Sequence, residues 1–206
     1  MRWLNIWLRQ FAKFTAKKDF LKMNFKFVST DIPGCYELLP QKMADIRGSF
    51  VKTFQRSVFI QNGLETDWRE EYHSLSHKGV LRGMHFQLPP YDHVKIVYCP
   101  MGEVFDVVLD LRMDSPAFGQ HVHFRLSDEK ANIIYIPKGC AHGFYTVSDQ
   151  AVMMYKVSTE YVSEVDTGIL WNSFGASWSD NSPIMSERDK SFIHFSQFNS
   201  PFRINQ

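Results

Sequence analysis

Along most of the chain, apolar residues come in short runs rather than at helical spacing. From Met23 onward, FKFV, GSFVKTF, VLRGMHFQ, VKIVYC, EVFDVVLDL, HVHFRL, NIIYIP, HGFYTV and AVMMYKV follow one another, separated by Pro, Gly, Asp, Ser and Asn. β-Branched and aromatic side chains suit a pleated, buried surface and the intervening residues suit turns, so each run predicts a strand. Strands at such regular spacing predict an all-β barrel or sandwich with few short helices, one around QRSVFIQNGL and another near the C-terminus. No fixed-period repeat or low-complexity tract interrupts them.

The first 22 residues, MRWLNIWLRQFAKFTAKKDFLK, follow a different period. Trp3, Leu4, Trp7, Leu8, Phe11 and Phe14 recur at helical spacing, with Arg2, Arg9, Lys13, Lys17 and Lys18 on the remaining face, which predicts a basic amphipathic helix over residues 1–22. It reads either as an anchor on anionic lipid or as a non-native, mis-started extension. The second is preferred, because MNFKFVSTDIPG, opening at Met23, reads as a natural start to a strand. No apolar run reaches spanning length and no signal-peptide pattern is present, so no membrane partner is expected.

Composition narrows the rest. With 206 residues, 44% apolar and 22% charged, the chain suits one domain over residues 23–206. A net charge of +1 with interspersed signs argues against nucleic acid, which needs concentrated Lys and Arg. Cys35, Cys99 and Cys140 form no C-x-x-C pair, which argues against a disulfide framework or zinc cluster and fits the cytoplasm.

Several polar residues interrupt strands otherwise built for burial: Arg82 and His85 in VLRGMHFQ, Lys95 in VKIVYC, Asp106 and Asp110 in EVFDVVLDL, and His142 after IPKGCA. Each alone has an ordinary structural reading, but together in a small barrel they suggest a polar pocket, since buried charges must be paired or used. Strict alternation puts His85 and Gln87 on one face and Arg82 on the other, unless Gly83 introduces a bulge. PKGCAH has the P-x-G-x-x-H form of the second cupin motif. The first cupin motif normally reads H-x-H; here it reads His85-Phe86-Gln87, so an amide replaces an imidazole and a metal site loses a principal ligand. His121 and His123 keep a metal alternative open but sit in a polar strand that reads as solvated. No G-x-S-x-G is present, which leaves general acid–base chemistry.

The blocks KGVLRGMHFQLPP, MGEVFDVVLDLRMDSPAFGQ, IPKGCAHGFY, YKVSTEY, GILWN and PIMSERD, with DIRGSF before them, closely resemble the dTDP-4-dehydrorhamnose 3,5-epimerase family. The resemblance runs from about Ile32 to Asp189. It implies a cupin-type jelly-roll, a homodimer, no cofactor and no metal. The implied reaction inverts carbon 3, carbon 5 or both in a nucleotide-diphosphate-linked 4-keto-6-deoxy sugar, in deoxysugar and surface polysaccharide biosynthesis. It also implies His85 as the base, Asp189 as its supporting carboxylate, Lys95 beside the keto oxygen, Tyr155 as the acid on the opposite face, and Asp106 and His142 as orienting groups. Arg47 and Arg82 would hold the diphosphate, Arg47 having a surface ion pair with Asp45 as its ordinary alternative. Gln87 and Tyr161 complete the expected substrate contacts. A metal-dependent cupin oxygenase or isomerase and a non-catalytic sugar-nucleotide binder are the alternatives.

Departures from the family cluster away from the proton-transfer residues. Glu70 and Tyr72 stand where the family usually carries Q-x-N, Lys52 replaces an acidic residue, and NSFGAS is a shortened loop. A carboxylate at Glu70 facing the base would favour cytosine or guanine over thymine, with Tyr72 or Tyr161 stacking on it.

Overall fold

In the computed structural model, which describes residues 25–204, the apolar runs form two antiparallel sheets. One has six strands in the order β1 (Phe25–Ser29), β2 (Tyr36–Pro40), β10 (Ile133–Ile136), β7 (Lys95–Met101), β12 (Gln150–Val157) and β5 (Glu70–His77). The other has five: β13 (Asp166–Gly168), β6 (Leu81–Gln87), β11 (Cys140–Thr146), β8 (Glu103–Asp110) and β9 (His121–Ser127). A hairpin of β3 (Lys42–Asp45) and β4 (Gly48–Val51) forms a two-stranded sheet of its own. Two short helices, α1 (Arg56–Gln61) and α2 (Glu187–Lys190), lie in the two regions where helix was expected. This is the all-β jelly-roll sandwich of cupin type. The helix expected over residues 1–22 lies outside the described residues. Among those described, no helix is long and apolar enough to cross a membrane.

The runs are continuous rather than strictly alternating because both faces of the central strands are covered. Val97, Val104, Val108, Ile134, Phe144 and Met153 come from both sheets and meet between them. The outer face of the six-stranded sheet packs Ile96 and Ile133 against Phe59 of α1, with Phe54 and Trp68 alongside. The outer face of the five-stranded sheet packs Met84, Phe86, Val107 and Leu109 against Phe202 from the C-terminal segment. Each such side chain taken out of water contributes about 1.5–3 kcal/mol.

Polar side chains enter the inner layer along β8, where Asp106 and Asp110 alternate with Val104 and Val108. Asp110 is fully satisfied: it accepts from the Arg112 guanidinium at 2.7 and 2.8 Å, from the Arg112 backbone N–H at 2.9 Å and from the Ser115 hydroxyl at 2.6 Å. Its role is structural.

Strict alternation fails at Gly83, and the failure has a geometric cause. His142 of β11 faces His85 of β6, but Phe144 faces Arg82, so two steps on β11 match three on β6. The extra residue is a bulge that returns Arg82 to the face carrying His85. Gly83 takes φ +137°, and a Cβ on it would lie 2.5 Å from Gly143 Cα. Both strands therefore need glycine at this crossing. Gly175 also has positive φ, +87°, but a Cβ there meets nothing within 4 Å. Gly83→Ala is expected to lower stability by several kcal/mol, combining backbone strain with a backbone clash, whereas Gly175→Ala costs only about 1–2 kcal/mol. Denaturant midpoints of the two variants check the difference.

Candidate active site

At one end of the sandwich the two sheets leave a cavity of about 380 Å³ between their inner faces. The five-stranded sheet contributes Arg82, His85 and Gln87 from β6 and His142 from β11; the six-stranded sheet contributes Lys95 from β7, Tyr155 from β12, and Glu70, Tyr72 and Ser74 from β5. Residues i and i+2 on a strand share a face, which is why Glu70, Tyr72 and Ser74 arrive together.

His85 is held by Asp189. Its Nε2 lies 2.9 Å from Asp189 Oδ1, the other carboxylate oxygen accepts the Gly83 N–H at 3.2 Å, and Asp189 is in turn placed by α2, whose N-cap Ser186 accepts the Asp189 N–H at 3.1 Å. Burial works against ionisation of Asp189, but the hydrogen bonds from His85, Gly83 and Ser186 outweigh it, and its carboxyl titrates below the usual range. An ionised Asp189 accepts a hydrogen bond from Nε2–H, so the proton stays on Nε2 and the ring presents an unprotonated Nδ1 as acceptor. Phe192 stands edge-on to the imidazole at 5.6 Å.

Lys95 is almost fully buried, and its Nζ donates to the His85 carbonyl at 3.1 Å, linking the two sheets. Burial pulls its pKa down to about 8, opposed by the charges of Asp166 and Asp106. Asp106 Oδ2 lies 2.7 Å from His142 Nε2, and both residues are buried. Asp106 Oδ1 is buried with no hydrogen-bond partner among the described residues.

Tyr155 approaches from the facing sheet. Its hydroxyl lies 3.4 Å from Ser74 Oγ, its ring stacks on Tyr72 at 4.8 Å and 16°, and His142 meets its edge at 6.2 Å. Burial, foremost, pushes its phenol above the usual range, so it stays protonated at neutral pH.

The remaining expected contacts divide. Arg82 lines the cavity and reaches across to β5, donating from Nε to Ser76 Oγ at 2.9 Å and from Nη2 to the Leu75 carbonyl at 3.3 Å. Tyr161 stands exposed at the mouth. Glu70 lines the cavity too, but its Oε1 accepts the Tyr161 N–H at 3.0 Å, so one oxygen holds the rim instead of facing a base. One face of Tyr72 is occupied by Tyr155. The Gln87 amide is engaged by the wall: its Oε1 accepts from Val162 N–H at 2.6 Å, and its Nε2 donates to the Tyr91 and Glu160 carbonyls at 3.0 and 3.2 Å. Arg47 lies away from the cavity on the exposed β3–β4 hairpin, paired with Asp45 at 2.5 Å. His123 is exposed and stacked on Phe105, while His121 is half-buried against Phe174. Among the described residues, no group of three or more His, Cys, Asp and Glu is placed to hold a metal ion.

Sequence reasoning missed Ser74, Asp166 and His93, all in the cavity wall. Ser74 carried a signal, sharing the face of Tyr72 in EEYHSLSH. Asp166 carried none: it follows a loop, and only the fold brings it to Lys95 and to Arg188, 2.5 Å away.

Comparison with known proteins follows the same lines. The sequence model of the dTDP-4-dehydrorhamnose 3,5-epimerase family matches residues 29–197. The dTDP-4-dehydrorhamnose 3,5-epimerase of Shigella flexneri is 41% identical over 165 residues, covering 79% of this chain and 91% of that protein. Among solved structures, the dTDP-6-deoxy-D-glucose-3,5-epimerase of Legionella pneumophila Philadelphia 1, in complex with dTDP-4-keto-L-rhamnose, superposes with a TM-score of 0.82 at 32% identity, over 85% of this chain and 95% of that one. NovW, a 4-keto-6-deoxy sugar epimerase from the novobiocin cluster of Streptomyces spheroides, gives 0.81 at 31% identity, over 84% and 88%. With the fold, the block order and the identity in agreement, this chain is an isomerase that belongs to the dTDP-4-dehydrorhamnose 3,5-epimerase family.

Proposed function

We propose that this chain inverts carbon 3, carbon 5 or both in a dTDP-linked 4-keto-6-deoxy sugar, as a step of deoxysugar biosynthesis in the cytoplasm. The ketone acidifies the C–H bonds on either side of it, so inversion needs a base, a charge at the developing enolate oxygen, and an acid on the other face. His85 Nδ1 takes the proton, and the electron pair moves into the enolate. Ionised Asp189 supports the imidazolium as the aspartate of a triad does. The Lys95 ammonium stabilises the enolate oxygen, with Asp106 and His142 fixing its surroundings. Tyr155 returns a proton from the opposite side. What supports this reading above all is that His85 and Tyr155 stand on opposite sheets across one cavity. A flat enolate between them meets the base on one face and the acid on the other. The three cysteines are buried and unpaired, which fits a reducing compartment.

The nucleotide half calls for phosphate ligands. Arg82 supplies a guanidinium at the mouth. One Glu70 oxygen is tied to the Tyr161 N–H, which weakens the case for cytosine or guanine, and thymine, the base of the dTDP sugars for which the relatives are named, is the better assignment. We also propose a two-fold homodimer. The β3–β4 hairpin stands apart from both sheets with Ile46 and Phe50 exposed, while β5 is an uncovered edge beside the cavity mouth. An exposed edge and an apolar arm on one molecule are complementary surfaces for two copies. In that assembly Arg47 of the partner subunit would reach the diphosphate.

Incubation in D2O with a panel of nucleotide-linked 4-keto-6-deoxy sugars, followed by NMR, tests the reaction. His85→Ala is expected to abolish deuterium exchange at every labile carbon, and Asp189→Asn to slow it by roughly 10²- to 10⁴-fold without eliminating it. Tyr155→Phe should retain exchange while inversion collapses. A fully active His85→Ala enzyme would overturn the mechanism.

The same chemistry sets a pH limit. Catalysis needs Lys95 protonated, and burial has brought its pKa to about 8, so kcat/KM is expected to fall as pH rises through that value. Tyr155 remains protonated there, so the falling limb belongs to Lys95. Lys95→Arg, which keeps its charge, should lose the limb whatever its overall rate.

Light scattering at working concentration checks the assembly. Arg47→Ala is expected to raise KM while leaving the dimer intact; a fully active monomer would remove Arg47 from the site.

A further inference from the structure

The acid of the reaction has little to aim it except a second aromatic ring. Among the described residues Tyr155 makes a single polar contact, with Ser74 Oγ at 3.4 Å, too long to fix a direction firmly. Its ring lies face to face with Tyr72, centroids 4.8 Å apart and planes 16° from parallel, and the two residues are direct partners in the β12–β5 ladder. His142 touches only the edge, at 6.2 Å. Tyr72 is 44% exposed and Tyr155 only 9%, so the outer ring stands between the inner one and water. β5 thus supplies both the ring that braces Tyr155 and, two residues on, the serine that tethers it.

We propose that Tyr72 is a positioning residue for proton return: its ring holds the Tyr155 phenol pointing across the cavity and screens it from solvent. This rests on Tyr155 being the acid. After His85 has taken the proton, the enolate has two fates. The imidazolium can give a proton back to the original face, which exchanges hydrogen without inversion. Alternatively Tyr155 gives its phenolic proton to the opposite face, the enolate electron pair forms the new C–H bond, and the resulting phenolate and imidazolium are reset by water. The ratio of inversion to exchange therefore reports how well Tyr155 is aimed. A ring that loses its brace loses that ratio before it loses exchange, because His85 and Asp189 lie on other elements.

The experiment compares Tyr72→Leu, Tyr72→Phe and Tyr155→Phe in the full chain, measuring deuterium incorporation and inverted product from a dTDP-linked 4-keto-6-deoxy sugar in D2O. Tyr72→Leu is expected to lower the inversion-to-exchange ratio by about tenfold or more, the scale on which misplacing a reacting group is felt. Tyr72→Phe, which restores the ring without the hydroxyl, should recover most of it. An unchanged ratio in Tyr72→Leu overturns the proposal, and so does a Tyr72→Phe enzyme as impaired as Tyr72→Leu, since the hydroxyl and not the ring would then be at work. If Tyr155→Phe still inverts, the assignment of the acid itself fails. If Tyr155→Phe loses inversion while Tyr72→Leu keeps it, only the positioning role falls. Circular dichroism and dimer content of each variant separate loss of fold from loss of aim.

Discussion

The close approach of two backbones, Gly83 on β6 and Gly143 on β11, is the constraint on which the site depends. It leaves no room for a Cβ on Gly83, and it inserts one extra residue into β6. Without that residue the side chains of β6 would alternate regularly, and Arg82 would face away from His85. With it, a guanidinium and an imidazole three positions apart enter the same cavity. The Gly83 N–H, freed from the regular ladder, donates to Asp189 Oδ2, so the bulge also anchors the carboxylate that orients His85. One backbone irregularity therefore places the Arg82 guanidinium, the His85 imidazole and the Asp189 carboxylate behind it.

The second organising feature is the way charge is handled inside the sandwich. Asp110 and Arg112 satisfy each other completely and lock β8 to the turn that follows. Two turns of alternation back along β8, Asp106 is engaged by His142 through only one oxygen, and Lys95 is neither fully paired nor exposed. A buried ion pair with every lone pair matched is inert scaffold. A buried ammonium held near carboxylates, but hydrogen-bonded among the described residues only to a carbonyl, keeps the capacity to respond to a new negative charge. That difference separates fully matched from incompletely matched charge on the same strand and its neighbours.

Much of this was legible in one dimension. The nine apolar runs all became strands, because each is long enough for a β-strand and too short or too β-branched for a helix. His85, Lys95, Tyr155, Asp106 and His142 stood out as polar groups in apolar surroundings, or through family blocks, and all of them line the cavity or, in the case of Asp106, pair with a residue that does. β5 was not among those runs, because EEYHSLSH is polar on both faces and owes its place in the sheet to pairing with β12. Gln87 and Glu70, expected to meet the substrate, line the cavity and also spend hydrogen bonds on its rim, where the loop around residues 159–162 folds back onto them.

The sequence by itself determined the architecture and the chemical inventory: hydrophobic periodicity is a local property, and the block order carries the family. It also limited Arg82 to two outcomes, with the glycine between Arg82 and His85 marking where alternation could break. Only the tertiary structure decided between them, because a bulge is defined by register against a partner strand far along the chain, where His142 meets His85 and Phe144 meets Arg82. The same holds for the stacking of Tyr72 on Tyr155, the approach of Asp166 to Lys95, and the separation of His85 and Tyr155 onto opposite sheets. These are relations between elements distant along the chain, and no local pattern encodes which strands will face each other across a cavity.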